Sequence, residues 1–195
     1  MKIFWIMLAL LLPLRLCADN DGDSPSGKLH YTLYHDDGKD THEVYISSKD
    51  HKDNPVKLCE TEGRSLAVFI SQDDFWIIVQ DGAGSMGVHP RLFQRVKGAS
   101  FKEMKDADIE GKAKRLLLKQ NGLPADFILS HQYFHVLNWS GDSKFVLFSM
   151  SGDGFNDQYF VTFSDWTAIY DLGNGQITFD LNKSNGGLVE KSARK

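Results

Sequence analysis

The chain has 195 residues and a formal net charge of −4 at pH 7, with 42% hydrophobic and 25% charged residues. This composition is typical of a globular protein, and the length is sufficient for one hydrophobic core. Basic residues are scattered, apart from the group Lys112–Arg115 and the tail Lys191–Lys195. Nucleic-acid binding usually needs a concentrated basic face, so we expect no nucleic-acid partner.

The N-terminus has the pattern of a secretory signal peptide. Lys2 gives a positive start, Ile3–Leu14 is an apolar run, and Ala18 precedes an acidic stretch. This order predicts a signal peptide over residues 1–18, with the mature chain beginning near Asp19. The apolar run is shorter than the about 20 residues of a membrane span. We therefore expect a secreted or periplasmic protein. The alternative is that the N-terminal segment is not cleaved and acts as an amphipathic anchor. The protein would then contact the membrane through this segment.

The two cysteines give no disulfide framework. Cys17 lies within the predicted signal, which leaves Cys59 alone in the mature chain and rules out an intramolecular disulfide. Lipidation of Cys17 needs a small residue before it, and Leu16 fits this poorly. Glu60 and Glu62 lie close to Cys59 in sequence and oppose thiolate formation, so we expect an inert thiol.

The first half of the mature chain has strand patterns separated by turns. Leu29–Tyr34 and Glu43–Ser47 alternate apolar and polar residues around a turn at Asp37–Gly38, which is typical of a β-hairpin. Further strands are predicted at Ser65–Ile70, Phe75–Val79 and Leu92–Val96. The polar segment before them predicts a flexible leader over 19–27.

One helix is predicted near the middle of the chain. Apolar residues recur at helical spacing at Ile109, Ala113, Leu116 and Leu117, and this stripe should pack on a sheet. Asp106 or Asp108 can cap the start of the helix. Asn121–Gly122, followed by Pro124, ends it.

Strand patterns return after the helix. They cover Tyr133–Trp139, Lys144–Met150, Tyr159–Phe163 with Trp166–Tyr170, and Gln176–Leu181. We therefore predict a mainly β fold, an antiparallel meander or blade-like sheets with one packed α-helix. The domain map is a single β-rich domain over 28–182 and a polar tail over 183–195.

Two segments share one pattern. Ser71–Val79 matches Ser140–Phe148, since each has a Ser-x-Asp turn followed by an apolar strand. This resembles the start of a blade in TolB-type and WD-repeat-like β-propellers. Trp166–Ile177 is similar to the outer hairpin of such a blade, with an aromatic strand that ends in Asp-Leu and a Gly-rich turn. The resemblance covers about Ser65–Leu181 and implies a blade-like β architecture.

The match to these repeats is partial. Both turns lack the proline of the family's Ser-Pro-Asp-Gly turn, and the copies lie about 69 residues apart (positions 71 and 140). A propeller blade takes about 40–45 residues. Two blades do not close a ring of about four to eight. An all-β meander with Ser-Asp turns is therefore the alternative.

No metal or cofactor motif is complete. His131 and His135 lie four residues apart on a predicted strand, which separates them by about 13 Å, too far for one ion. Asp19–Asp23 has the first spacings of a calcium loop, but Ser24 replaces the required glycine and no Glu closes the loop. The Gly-rich Gly82–Gly87 lacks the Gly-Lys-Ser/Thr ending of a phosphate loop. We expect no metal and no organic cofactor.

A non-enzymatic binding or structural role is the leading functional prediction. It rests on the lack of a recognisable catalytic set. Aromatic residues on the predicted strands would form a binding face if exposed, or a core if buried. They are Trp76, Trp139, Trp166 and Tyr170, and the expected partner is a protein, a peptide or a glycan.

A small secreted hydrolase is the rival prediction. Its site would collect Ser85, His89, His135 and Asp153 from loops, although no Gly-x-Ser-x-Gly elbow is present. The two predictions differ in whether these four side chains converge in one cleft.

Overall fold

The computed structural model describes residues 18–36, 38–39, 41–49, 54–62, 65–82, 86–157, 159–178 and 189–193. Residues 1–17, which hold nearly all of the predicted signal peptide, lie outside this range. Cleavage near Asp19 therefore stays a prediction, as does the domain map as a whole.

The first sheet is a four-stranded antiparallel meander. Its strands, in both chain order and spatial order, are β1 (Ala18–Asp23), β2 (Leu29–Asp36), β3 (Thr41–Ser48) and β4 (Val56–Thr61). The side chains of Leu29, Val44 and Ile46 are fully buried on one face of this sheet. We call this meander the first blade.

The segment 19–27, predicted as a flexible leader, contains most of β1. Asp23 lies opposite His30 in the ladder with β2, and the Asp23 carboxylate contacts His30 Nδ1 at 2.9 Å and Lys49 Nζ at 3.1 Å. An edge strand can be polar because one side of it faces water. The segment therefore lacks the apolar alternation by which strands are recognised.

The second sheet contains the remaining strands. They are β5 (Ser65–Ile70), β6 (Trp76–Gly82), β7 (Gly87–Lys97), β8 (Ser100–Glu103), β9 (Ile128–Trp139), β10 (Phe145–Phe155), β11 (Tyr159–Asp171), β12 (Gln176–Thr178) and β13 (Val189–Ala193). β5–β8 and β9–β12 are two further antiparallel meanders of four strands, the second and third blades. A short parallel pairing of Gly87 and Val88 with β9 joins them.

The predicted polar tail 183–195 contains a strand. β13 pairs with the first half of β11, from Tyr159 opposite Ala193 to Phe163 opposite Val189. β12 pairs with the second half of the same strand. At 13 residues, β11 is long enough to support both. The weak apolar character of Val189–Ala193 is again that of an edge strand, so composition alone suggests a tail.

The same turn joins the first two strands of each blade. Ser24, Ser71 and Ser140 open these turns, and each serine hydroxyl accepts a backbone N–H five residues later, from Leu29, Trp76 and Phe145 at 3.1, 2.9 and 2.9 Å. The fourth turn residues are Gly27, Asp74 and Ser143, with φ of 71°, 60° and 58°. The repeat thus has three copies, and the copy within the predicted leader carries the family's proline, at Pro25.

Hydrogen bonds link each turn to the next. Ser26 Oγ, at the third position of the first turn, donates to Asp74 Oδ2 at 2.5 Å. Asp73 N, at the third position of the second turn, donates to Ser143 Oγ at 3.1 Å. In both cases the residue at the third position of one turn is hydrogen-bonded to the side chain at the fourth position of the following turn. The three blades are therefore joined by equivalent links.

An insertion between the second and third blades explains the long repeat spacing. A 3-10 turn at Lys105–Ala107 and the helix α1 (Ile109–Gln120) lie between β8 and β9. Asp108 caps the helix, since its carboxylate accepts the N–H of Gly111 at 3.2 Å. The buried helical residues are Ile109, Ala113, Leu117 and Leu118. Leu116, predicted to be buried, is only partly buried and packs at the core margin, because its neighbour Leu118 faces the sheet instead.

Two hydrophobic clusters hold the blades together. One joins first-blade residues such as Leu33 and Val44 to Val79 and Phe93 of the second blade. The other packs α1 and the third blade around Phe148. The predicted mainly β fold with blade-like sheets and one packed helix is confirmed, as is the resemblance to β-propeller blades.

Candidate functional site

The four aromatic residues predicted as a binding face lie in or against the core. Trp166 is 1%, Tyr170 3% and Trp139 8% exposed, and Trp76 is half-buried against the same cluster. The Trp166 indole N–H donates to Gln120 Oε1 of α1 at 3.1 Å. Their burial assigns them to packing, so a binding surface has to be formed by other residues.

The structure does not gather the predicted hydrolase residues. His89 Nδ1 lies 2.8 Å from Glu110 Oε2 of α1, whereas Asp153 contacts His131. His135 lies opposite Ser149 in the β9–β10 ladder, four positions from the pair formed by His131 and Asp153. Ser85 lies outside the described residues. His89, His135 and Asp153 lie on three different strands, β7, β9 and β10. Their contacts are with different partners, so they do not form one site.

His131 and Asp153 form an ordered pair on the third blade. His131 Nδ1 lies 2.9 Å from each carboxylate oxygen of Asp153, and the ring stacks on Tyr133 with centroids 6.5 Å apart. A carboxylate that orients an imidazole is one part of a catalytic triad. Within the described residues, the hydrogen-bond partner of His131 is Asp153.

A row of exposed apolar side chains crosses the third blade. Ile128 of β9 lies opposite Phe155 of β10, and Phe155 lies opposite Phe160 of β11. Their exposed fractions are 60%, 37% and 37%. Directly opposed residues of antiparallel strands point to the same face, and the adjacent Leu129 and Val161 point into the core. We call Ile128, Phe155 and Phe160 the apolar row.

A pocket adjoins the apolar row. It has a volume of about 400 Å³ and is lined by Pro124, Asp126, Phe127, Ile128, Phe155, Asn156 and Asp157. Its apolar surface comes partly from two members of the row, and the carboxylates of Asp126 and Asp157 are exposed at its edge. The combination of an apolar floor and an acidic edge defines the candidate site, which we call the third-blade site.

The sequence carries only a weak signal for this site. Phe155 and Phe160 flank the polar segment that begins with Asn156–Asp157, which suggests a hairpin with an aromatic residue at each end. The pairing of Ile128 with Phe155 depends on two β-bulges between β9 and β10. A bulge shifts the register by one residue, so the row could not be derived from residue spacing.

The remaining candidate groups from the sequence are a thiol, metal ligands and membrane-spanning segments. Burial raises the pKa of the Cys59 thiol to about 11, in agreement with the predicted lack of reactivity. In the described ranges, no group of three or more His, Cys, Asp or Glu side chains could hold a metal ion. No helix in those ranges has both the length and the apolar character needed to cross a membrane.

Comparison with known proteins gives structural similarity alone. No protein-family model matches the sequence, and no curated protein is significantly similar to it. Among solved structures, the periplasmic gluconolactonase PpgL of Pseudomonas aeruginosa is similar over 83% of this chain, with 18% identity and a TM-score of 0.41. TolB from Acinetobacter baumannii is similar over 82%, with 12% identity and a TM-score of 0.34.

A third similar structure is the β-propeller domain of the Trilobed protease from Pyrococcus furiosus. It covers 91% of this chain at 9% identity, with a TM-score of 0.37. This chain spans 39%, 65% and 43% of the gluconolactonase, the protease domain and TolB, respectively. The three blades are defined by the strand order and the turns of this chain.

Proposed function

We propose that this chain is an exported, non-enzymatic binding protein, and that the third-blade site binds an apolar, positively charged segment of another protein. The observation that carries the proposal is the apolar row, which continues into a pocket with an acidic edge. Contiguous exposed apolar surface rimmed by polar groups is typical of interaction sites.

The dimensions of the site suit a peptide segment. Directly opposed side chains in a sheet have Cβ atoms about 4.5–5.5 Å apart, so three strands place the apolar row over roughly 10 Å. The adjoining pocket, at about 400 Å³, is within the range of small-ligand sites. One or two apolar side chains of a peptide can enter it while the rest of the segment crosses the row.

Charge favours a basic segment. Asp126 and Asp157 border the pocket, and the whole chain has a net charge of −4. Complementary charge increases the association rate and selects among partners more than it adds affinity. We therefore infer that lysine or arginine flanks the apolar residues of the partner.

Two synthetic peptides test the proposal. They share one Leu/Phe-rich centre, flanked by lysines in one peptide and by glutamates in the other, and fluorescence anisotropy measures their affinities. We expect the lysine peptide to bind. Ile128→Ser should weaken its binding by about tenfold, because the loss of one apolar contact residue costs about 1.4 kcal/mol of binding free energy. Val96→Ser is the matched control, since Val96 is 69% exposed on β7, outside the site.

Two results would overturn the proposal. One is equal binding of the lysine and glutamate peptides. The other is an affinity that Ile128→Ser leaves at the value of the Val96→Ser control. Export is tested separately by mass spectrometry of protein from outside the cytoplasm, where an N-terminus near Asp19 is expected and an intact Met1 would contradict it.

A further inference from the structure

We propose that His35 and His42 together bind a divalent transition-metal ion, Cu²⁺ most tightly, at the first blade. This site lies on the first sheet and the third-blade site on the second, and the two are proposed independently. His35 lies on β2 and His42 on β3, and the two are direct partners in the antiparallel ladder. Their rings face each other, with centroids 4.5 Å apart and planes inclined by 43°.

The ring separation fits one shared ion. An imidazole nitrogen coordinates such metals at about 2.0–2.1 Å, which places the ion about 3 Å from each ring centroid. Two rings bound to one ion at roughly a right angle then have centroids about 4.5 Å apart. This is the separation observed for His35 and His42. A right angle between neighbouring ligands is typical of the tetragonal geometry of Cu²⁺ and Ni²⁺.

Burial supplies an independent reason to expect a ligand. His42 Nδ1 is buried and has no hydrogen-bond partner among the described residues. A buried polar atom without a partner costs about 1–3 kcal/mol. Coordination of a metal ion would satisfy this nitrogen without moving the backbone, because the strand pairing already holds the ring beside His35.

A carboxylate is hydrogen-bonded to the strand neighbour of His42. Thr61 of β4 is opposite His42 in the ladder, and its hydroxyl donates to Asp81 Oδ1 of the second blade at 2.8 Å. No set of three metal-binding side chains occurs in the described part of the chain, so the carboxylate of Asp81 is not assigned as a ligand. The site is thus a chelate of two imidazoles, completed by water.

The chemistry of the ligands predicts the choice of metal. Neutral imidazole nitrogen suits copper, nickel and zinc, whereas magnesium and calcium prefer oxygen ligands. Affinity at such sites rises from nickel to copper and falls again at zinc. We therefore expect Cu²⁺ to bind more tightly than Ni²⁺ or Zn²⁺, and Mg²⁺ to show no binding.

The test is a calorimetric titration of Cu²⁺ into untagged, metal-free protein, together with electron paramagnetic resonance of the copper complex. We expect one bound ion and hyperfine splitting from two imidazole nitrogens. His42→Gln and, separately, His35→Gln should each weaken binding by more than about tenfold, a loss of about 1.4 kcal/mol. His135→Gln, at an exposed histidine of the third blade, is the matched control and should leave the affinity unchanged.

Several outcomes would overturn the proposal. They are Cu²⁺ affinity that both histidine variants leave unchanged, a resonance spectrum without two nitrogens, or Mg²⁺ binding equal to that of Cu²⁺. Loss of binding in His30→Gln alone would assign the ion instead to His30 of β2. The spectrum of the unaltered protein decides the matter even if a variant fails to fold.

Discussion

The backbone N–H of Asp73 donates a hydrogen bond to the hydroxyl of Ser143, a residue 70 positions later in the chain. The two residues occupy successive positions of equivalent turns in neighbouring blades. Ser143 is 2% exposed, so the acceptor side of this link is buried. A similar link joins Ser26 to Asp74 one blade earlier. The turns therefore both shape each blade and connect it to the next.

Removal of the Ser143 hydroxyl should weaken the connection between the second and third blades. We expect Ser143→Ala to lower the free energy of unfolding by about 1 kcal/mol, because the N–H of Asp73 then loses its acceptor. Chemical denaturation measures the change. Ser164→Ala, at an exposed serine of β11, is the control, and an equal effect of both substitutions would show that the link contributes nothing.

The equivalence of the turns predicts a stabilising substitution. Pro25 occupies the second position of the first turn, and Gly141 occupies the second position of the third turn. Gly141 does not have a positive φ, and a Cβ built on it meets no atom within 4 Å. We expect Gly141→Pro to raise stability by about 0.4–1 kcal/mol, because proline restricts the unfolded chain.

The matching control for Gly141→Pro is Gly175→Pro. Gly175 has a φ of 67°, and its N–H donates to the carbonyl of Asp171 at 2.8 Å. Proline can adopt neither feature, so this change should lower the melting temperature. A fall in melting temperature for Gly141→Pro as well would show that the three turns are not equivalent.

The helix provides a comparison between two leucines that lie two positions apart, Leu116 and Leu118. Leu118 is 2% exposed, whereas Leu116 packs only at the margin of the core. Leu118→Ala should therefore cost about 2–5 kcal/mol of stability through lost burial and a cavity. Leu116→Ala should cost clearly less. Equal losses of stability in chemical denaturation would contradict the difference in burial between Leu116 and Leu118.

Elements with one buried face could be predicted from the sequence, because burial of one face creates a periodic pattern of apolar residues. The helix around Ala113 and the strands after Ser71 and Ser140 have apolar periodicity that only those structures explain. Polar edge strands have no such pattern, which is why β1 and β13 could not be predicted. The first turn was missed for the same reason, because it lies next to the polar strand β1. Its sequence Ser24-Pro25 nevertheless matches the first two residues of the Ser-Pro-Asp-Gly turn.

The candidate site was less accessible to sequence reasoning than the fold. Trp139 and Trp166 are prominent in sequence but buried in the core, because large aromatic side chains gain most from burial. The apolar row combines three strands whose register is shifted by bulges. His35 and His42 lie seven residues apart on a hairpin, and their contact depends on its exact register.

Acid should weaken the ion pair between Arg91 and Glu103. Arg91 donates to both carboxylate oxygens of Glu103, at 2.8 and 3.1 Å, and these hydrogen bonds lower the pKa of Glu103. A carboxyl whose pKa is lowered by folding stabilises the protein above its unfolded pKa, and this contribution is lost as the pH falls.

We therefore expect Glu103→Gln to be less stable than the unaltered protein at pH 7, with the difference shrinking between about pH 5 and pH 3. Urea unfolding at a series of pH values measures it. Glu62→Gln, at an exposed glutamate, serves as the control. A difference that stays constant on acidification would mean that the effect of Glu103→Gln is not due to charge.

Hydrogen–deuterium exchange in the presence of the lysine-flanked peptide tests the central claim most directly, because it maps the bound surface without substitutions. Binding at the third-blade site should slow exchange in segments that contain Ile128, Phe155 and Phe160, since a bound peptide shields these strand ends and restrains their opening. Segments that contain Phe75 and Val96, which are also exposed apolar residues, should exchange as in the free protein. Slowed exchange around Phe75 and Val96, with none around the apolar row, would contradict the assignment of the third blade as the binding surface.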